Sequence, residues 1–264
     1  MTTDLPAQSL SAVAARLRSA GCVFAEDEAR LLIAAARTPA ELATMERQRM
    51  AGQPLEHVLG WAEFCGLRIA VDPGVFVPRR RTEFLISQAA SLLGPAPRPV
   101  IVDLCCGSGA LGVALAAAAG RPVDLHAADV DPAAARCARR NVLPAGGQVY
   151  QGDLDGPLPA GLRGRVDVLL ANVPYVPTGD VALLPAEARE HEARVALDGG
   201  PDGLDVLRRV AAAAPAWLAP GGHLLSEISD RQAAAATAAV GAAGLTPRLA
   251  RSEELGATVL IAAR

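Results

Sequence analysis

The chain has 264 residues, a formal net charge of −3 and a composition that is 51% hydrophobic but only 3% aromatic. That length can bury the core of one large α/β domain or of two unequal ones, and the acidic balance excludes a protein that grips nucleic acid mainly through its phosphates. Five cysteines at positions 22, 65, 105, 106 and 137, an odd number without C-x-x-C spacing, exclude a disulfide framework and a zinc site and fit reduced thiols in the cytoplasm.

The start, Met1-Thr2-Thr3-Asp4, has neither the basic nor the apolar stretch of a secretory signal. The longest apolar run, residues 110–119, falls short of the roughly 20 residues that cross a bilayer. Residues 10–52 carry helical periodicity. Leu10, Val13, Ala14 and Leu17 share a face before Gly21, and Ala29, Leu32, Ile33 and Ala36 form a second helix. Thr38-Pro39-Ala40-Glu41 supplies an N-cap, a proline at the first helical position and a glutamate three residues after the cap, which opens a third. Residues 1–52 thus read as a small helical domain, either a lid or a grip for a protein substrate.

Residues 53–80 change character. Leu67, Ile69 and Val71 alternate, Asp72-Pro73-Gly74 is a turn, and Val75 and Val77 alternate again, which predicts a β-hairpin linker. Arg79, Arg80 and Arg81 read as a solvated patch. Thr82 reads as the cap of a helix that runs through Leu92 and Leu93 to Gly94.

Residues 81–264 hold the remaining elements. Val100, Ile101 and Val102 make a short buried strand, Asp103 ends it, and Cys105-Cys106-Gly107-Ser108-Gly109 turns the chain into an alanine-rich helix. The spacing Gly107-x-Gly109-x-x-Gly112 also satisfies a dinucleotide fingerprint. Asp103 tips the reading toward S-adenosylmethionine, because a carboxylate there repels a pyrophosphate and attracts the α-ammonium of a methionine moiety. Strands follow at residues 123–129, 148–153, 166–171 and 222–228, with a closing pair around Leu249 and residues 258–262; helices cover residues 204–218 and 232–244, and Asp131-Pro132 starts another. The alternation predicts an α/β fold: a doubly wound, mostly parallel, seven-stranded sheet with its ligand at the carboxyl ends of the strands.

Asp129, at a strand end 20 positions after Gly109, can accept both ribose hydroxyls. Asp153 is placed to take an adenine amino group while Leu154 covers the ring. Asn172-Val173-Pro174-Tyr175 follows the fourth strand of the sheet. A polar side chain, a stiffening proline and a stacking tyrosine make a slot for a planar NH2. The Asn172 side-chain oxygen and the Val173 carbonyl each accept one hydrogen, which aims the nitrogen lone pair at a sulfonium methyl. No strong base is visible, so catalysis rests on alignment and on electrostatics in a dry pocket. The histidines at 57, 126, 191 and 223 share no metal-ligand spacing, so no metal is expected. Glu187, Arg189, Glu190, Glu192 and Arg194 read as a solvated helix face near the pocket.

Gln53-Pro54 with Gly60 and Glu63-Phe64, Pro78-Arg79 with Thr82-Glu83, Asp103-Leu104 with Gly107-Ser108-Gly109, and Leu197-Asp198-Gly199-Gly200 with Asp202-Gly203-Leu204-Asp205 resemble motifs of the HemK/PrmC family of protein-glutamine N5-methyltransferases. The likeness covers nearly the whole chain. It implies a class I, Rossmann-like methyltransferase fold, S-adenosylmethionine as cofactor, and methylation of a glutamine side-chain amide in a protein such as a peptide chain release factor. Carried onto this chain, it implies catalytic Asn172, Val173, Pro174 and Tyr175, and cofactor contacts from Asp103, Cys105, Gly107, Gly109, Asp129, Asp153, Leu154 and Asn172. Phe76, Pro78, Arg79, Asn172 and Tyr175 would bind substrate. The expected protein is a cytoplasmic monomer with no membrane and no stable nucleic-acid partner. Two positions depart from the family: Val173 replaces the first proline of N-P-P-Y, and Cys105 stands where glycine is common. Rival readings are a nucleic-acid amino-methyltransferase with the same slot, a cofactor-binding protein without turnover, and a nicotinamide dehydrogenase, which leaves Asn172 to Tyr175 unexplained.

Overall fold

The computed structural model describes residues 8–264. The opening residues, from which the lack of a secretory signal is read, lie outside the described residues. Three helices, α1 (Gln8–Ser19), α2 (Ala25–Ala35) and α3 (Pro39–Met50), close on their own core of Val13, Leu17, Leu32, Leu42 and Met45. Thr38 caps α3 as its sequence requires, its hydroxyl accepting the Glu41 N–H at 3.1 Å. A short unanticipated helix, α4 (Leu55–Leu59), extends this cluster. Buried Arg49 stitches it to the rest, donating to both oxygens of Glu28 at 2.7 and 3.2 Å and to the Gln53 carbonyl at 3.0 Å.

The hairpin lies one strand earlier than the alternation suggests. It pairs β1 (Trp61–Phe64) with β2 (Leu67–Ala70), and its two-residue turn is Cys65-Gly66, with φ of +51° and +72°. Two consecutive left-handed residues match the twist of flanking strands, which the Asp72-Pro73-Gly74 turn does not do. Val75 and Val77 alternate because both are buried, not because they sit in a ladder: the Val77 N–H donates to the Glu192 carboxylate at 3.1 Å.

After α5 (Glu83–Leu92) the chain alternates through β3 (Val100–Leu104), α6 (Ala110–Ala118), β4 (Asp124–Asp129), α7 (Pro132–Val142), β5 (Gln148–Gln151), β6 (Val166–Ala171), α8 (Ala186–His191), α9 (Asp205–Trp217), β7 (Leu218–Ile228), α10 (Ala233–Ala242), β8 (Thr246–Ser252) and β9 (Ala257–Ala263). The seven strands order as β5-β4-β3-β6-β7-β9-β8, parallel except for β9, which runs antiparallel to both neighbours. Every residue of β3 is buried, as a central parallel strand covered on both faces demands. One face packs Ile101, Val168 and Val259 under α5, α6, α7 and the hairpin; the other packs Val102, Leu169 and Leu224 under α9 and α10. Because the order of strands reverses between β3 and β6, the loops that leave those two strands diverge and open a crevice.

Candidate functional site

A cavity of about 880 Å³ occupies that crevice. Its walls include Phe76, Pro78, Arg79, Asp103, Cys105, Gly107, Asp129, Asp153, Leu154, Asn172, Val173, Pro174 and Tyr175, so the structure gathers every site residue read from the sequence except Gly109. Gly109 lies outside these walls and packs closely against α7. It precedes α6 at φ +77°, and a Cβ there would lie 2.6 Å from Cγ2 of Val142 on α7.

On the β3 side of the cavity, Asp103 is almost wholly buried and its carboxylate accepts the Gly112 N–H at 2.9 Å. Burial pushes this carboxyl up to about 7. Asp129 accepts the N–H of Gly107 at 2.8 Å on one oxygen and that of Asp131 at 2.9 Å on the other. Burial raises its pKa too, with those two donors pulling against it. Cys105 sits at φ +53°, in the left-handed region, where a side chain costs on the order of 1 kcal/mol. That is the physical reason a glycine suits this position. Leu154 adopts φ +47° and is buried. Asp153 reaches the cavity, but its carboxylate accepts Arg209 at 2.6 Å.

On the neighbouring strand, one residue past the Leu104–Ala171 pair, Asn172 directly follows β6. Its Oδ1 is buried and has no hydrogen-bond partner among the described residues. The loop that carries it is held from several sides. Ser226 Oγ donates to the Ala171 carbonyl at 2.7 Å, Gln232 Nε2 donates to the Tyr175 carbonyl at 2.8 Å, and the Gly199 N–H donates to the Val176 carbonyl at 2.8 Å. Gly203 approaches so closely that a Cβ would lie 2.2 Å from the Tyr175 oxygen, and its φ is +75°. The segment from Leu197 to Asp205 is glycine-rich because it packs backbone to backbone against the Asn172 loop.

Several expectations are corrected here. Arg79, Arg80 and Arg81 are not one solvated patch. Arg79 pairs with Glu192 at 2.6 Å and the half-exposed Arg81 with Glu227 at 2.9 Å, and both arginines line the cavity; Arg80 is exposed and lies outside its walls. Thr82 stands at the N-cap position of α5, but its hydroxyl makes no cap bond and donates instead to Glu227 Oε2 at 2.7 Å. Glu192 is buried rather than solvated, and Glu187 reaches across to Arg49 at 2.7 Å. Local pattern does not single out Glu227, nor the apolar side chains Leu184, Pro185 and Val195, which line the cavity on either side of the charged stretch from Glu187 to Arg194. A lone carboxylate beside Leu224, Leu225 and Ile228, near the end of a buried strand next to β6, is the available signal for Glu227. Among the described residues no group of three or more His, Cys, Asp or Glu could hold a metal ion, and no helix is long and apolar enough to cross a membrane.

Residues 66–201 match the Methyltransferase small domain family. The release factor glutamine methyltransferase of Geobacter sulfurreducens is 39% identical over 201 residues, which cover 74% of this chain and 68% of that one. A 4-amino-L-phenylalanine/4-methylamino-L-phenylalanine methyltransferase of Streptomyces pristinaespiralis is 38% identical over 205 residues, 75% of this chain and 68% of that one. For other release factor glutamine methyltransferases the matched share of their own length is 65%, 66% and 59%. Among solved structures, the ribosomal protein L11 methylase of Lactobacillus delbrueckii subsp. bulgaricus superposes with a TM-score of 0.53 at 15% identity, covering 74% of this chain and 84% of that one, a likeness of fold.

Proposed function

The chain belongs to the HemK/PrmC family of S-adenosylmethionine-dependent methyltransferases, and from that premise we propose that it transfers a methyl group to the side-chain amide nitrogen, N5, of a glutamine in a protein, with a peptide chain release factor as the first candidate. The observation that carries this reading is the buried, unpartnered Oδ1 of Asn172 on the cavity wall. A buried acceptor without a donor costs about 1 to 3 kcal/mol, which a substrate NH2 recovers.

The residues that end or follow β3, β4 and β5 fit the cofactor. Asp103 would hold the α-ammonium, Asp129 the ribose hydroxyls, Asp153 and Leu154 the adenine, and the Cys105 to Gly107 turn would lie along the methionine portion. When bound, S-adenosylmethionine supplies a methyl group activated by the positive charge on its sulfur. Toward the acceptor, Asn172 Oδ1 and the Val173 carbonyl take the two amide hydrogens and leave the nitrogen lone pair free. Val173 keeps its carbonyl although it is not proline, so this scheme survives the departure from N-P-P-Y. Pro174 and Tyr175 wall the slot, and Phe76, Pro78 and Arg79 line its approach. The Tyr175 hydroxyl and the three cavity arginines are already paired, so turnover rests on alignment rather than on a base, and the nitrogen sheds its proton after the attack. Orientation of this kind can supply roughly 7 to 11 kcal/mol.

The charge balance favours a neutral acceptor. With Arg79 on Glu192, Arg81 on Glu227 and Arg209 on Asp153, the three arginines that line the cavity each hold a carboxylate and do not offer themselves to nucleic-acid phosphates. A second reading, transfer to the ring amino group of a small aromatic amine, is favoured by the Streptomyces relative, which is as similar as the release factor enzymes and whose name specifies such an acceptor. We place the protein in the cytoplasm as a monomer, with α1–α3 gripping the protein substrate. The test is incubation with methyl-labelled S-adenosylmethionine and a purified release factor, followed by mass-spectrometric mapping. Label on one glutamine side chain is expected; label on RNA or DNA, or on 4-amino-L-phenylalanine in preference to protein, overturns the proposal.

A further inference from the structure

We infer that Glu227 is a positioning residue that fixes the Tyr175 wall of the acceptor slot by tying it to the Arg81–Thr82 turn. The inference rests on the slot described above and deepens it. Glu227 is the penultimate residue of β7, is 3% exposed and does not itself line the cavity, whereas Arg81, Thr82 and Tyr175 all do. Its Oε1 accepts the Tyr175 hydroxyl at 2.9 Å and Arg81 Nε at 2.9 Å; its Oε2 accepts the Thr82 hydroxyl at 2.7 Å. Arg81 also donates to the Tyr175 oxygen, which closes the network.

Three donors from two distant segments thus converge on one buried carboxylate. Both of its oxygens are engaged, so it is built to hold neighbours rather than to take a proton from substrate. Charge-assisted hydrogen bonds are short and directional, and they fix a phenol ring more tightly than packing alone. The backbone of the same loop is anchored separately, through Gln232 to the Tyr175 carbonyl and through Ser226 to the Ala171 carbonyl. Loss of the Glu227 charge therefore frees the tyrosine ring and the arginine while Asn172 and the loop backbone stay in place. Burial and Glu227 together hold the Tyr175 phenol well above its ordinary value, which keeps the ring neutral.

The experiment compares wild type, Glu227→Gln, Tyr175→Phe and the double variant as full chains, with kcat and KM measured on a release factor and cofactor affinity measured by calorimetry. Glutamine keeps the size of the side chain and an acceptor oxygen, and thermal unfolding of each variant reports whether the fold is intact. Glu227→Gln is expected to lower kcat between about tenfold and a hundredfold, with the cofactor Kd within about twofold of wild type. The double variant is expected to be little worse than the more damaged single one, because both break the same tie. Wild-type kcat and KM in Glu227→Gln overturn the inference, as does a parallel loss of kcat and cofactor affinity, which marks a merely structural role. A substrate-independent readout separates this inference from the proposed function. The chain has two tyrosines, at 150 and 175, so carbon NMR of protein labelled only at the tyrosine Cζ gives two signals, one of which moves in Glu227→Gln. If that signal moves while wild type methylates no protein amide, the functional reading falls and the tie stands; if it does not move, the tie falls.

Discussion

Acidification from pH 8 to pH 6 is predicted to weaken S-adenosylmethionine binding about tenfold through Asp103. The carboxyl lies in the interior with a Gly112 N–H as its hydrogen-bond donor at 2.9 Å, and burial moves it from 3.8 to about 7. With that midpoint roughly nine-tenths of the ligand-free protein carries the carboxylate at pH 8 and roughly one-tenth at pH 6. An ammonium binds the ionised form, so apparent affinity follows that fraction, a difference of about 1.4 kcal/mol. The ligand-free fold responds with the opposite sign. A folded pKa raised above the unfolded one gives stability that is present below about pH 4 and lost as pH rises through about 7. Cofactor should therefore raise the thermal midpoint more at pH 8 than at pH 6. Calorimetry at pH 6, 7 and 8 in two buffers of different ionisation heat measures both the affinity and the protons released. Asp103→Asn should flatten the dependence and lose most affinity at pH 8. A wild-type Kd that is constant from pH 6 to 8, with no proton release at pH 6, would refute the reasoning.

Other outcomes follow from the same geometry. Val173→Pro keeps the carbonyl that accepts the second amide hydrogen and stiffens the loop, so kcat should stay within about threefold of wild type; a collapse of turnover would show that valine itself shapes the slot. Arg49→Ala leaves Glu28 as a buried unpaired charge, and chemical denaturation should show a loss of about 3 kcal/mol or more. A loss under about 1 kcal/mol would mean that the α2–α3 contact does not depend on this ion pair. Arg209→Ala frees the Asp153 carboxylate and should change cofactor affinity less than about threefold, since that pair is solvent-exposed; a large loss would place Arg209 itself on the cofactor.

The sheet was readable because buried parallel strands announce themselves as apolar runs: residues 166–171 end where expected, and β7 merely starts four residues sooner, at Leu218 instead of 222. The polar residues that terminate those runs, Asp103, Asp129 and Asn172, were readable for the same reason, since a strand end at a crevice is where such side chains meet. What could not be read is what pairs across distance. Glu192 and Glu227 lie 113 and 146 residues from Arg79 and Arg81, so local pattern gave those arginines to solvent and Thr82 to a helix cap. The hairpin was misplaced because burial alone produced alternation at Val75 and Val77, while the turn that makes the hairpin needs a cysteine in a left-handed conformation that sequence preference disfavours.

The most direct measurement is a side-by-side determination of methyl-transfer rate and cofactor affinity in Asn172→Ala. If Asn172 Oδ1 pins the acceptor nitrogen, transfer to the glutamine falls by roughly a hundredfold or more, while cofactor affinity falls by less than about tenfold. Wild-type transfer in this variant, or a loss of cofactor binding as large as the loss of rate, would contradict the account.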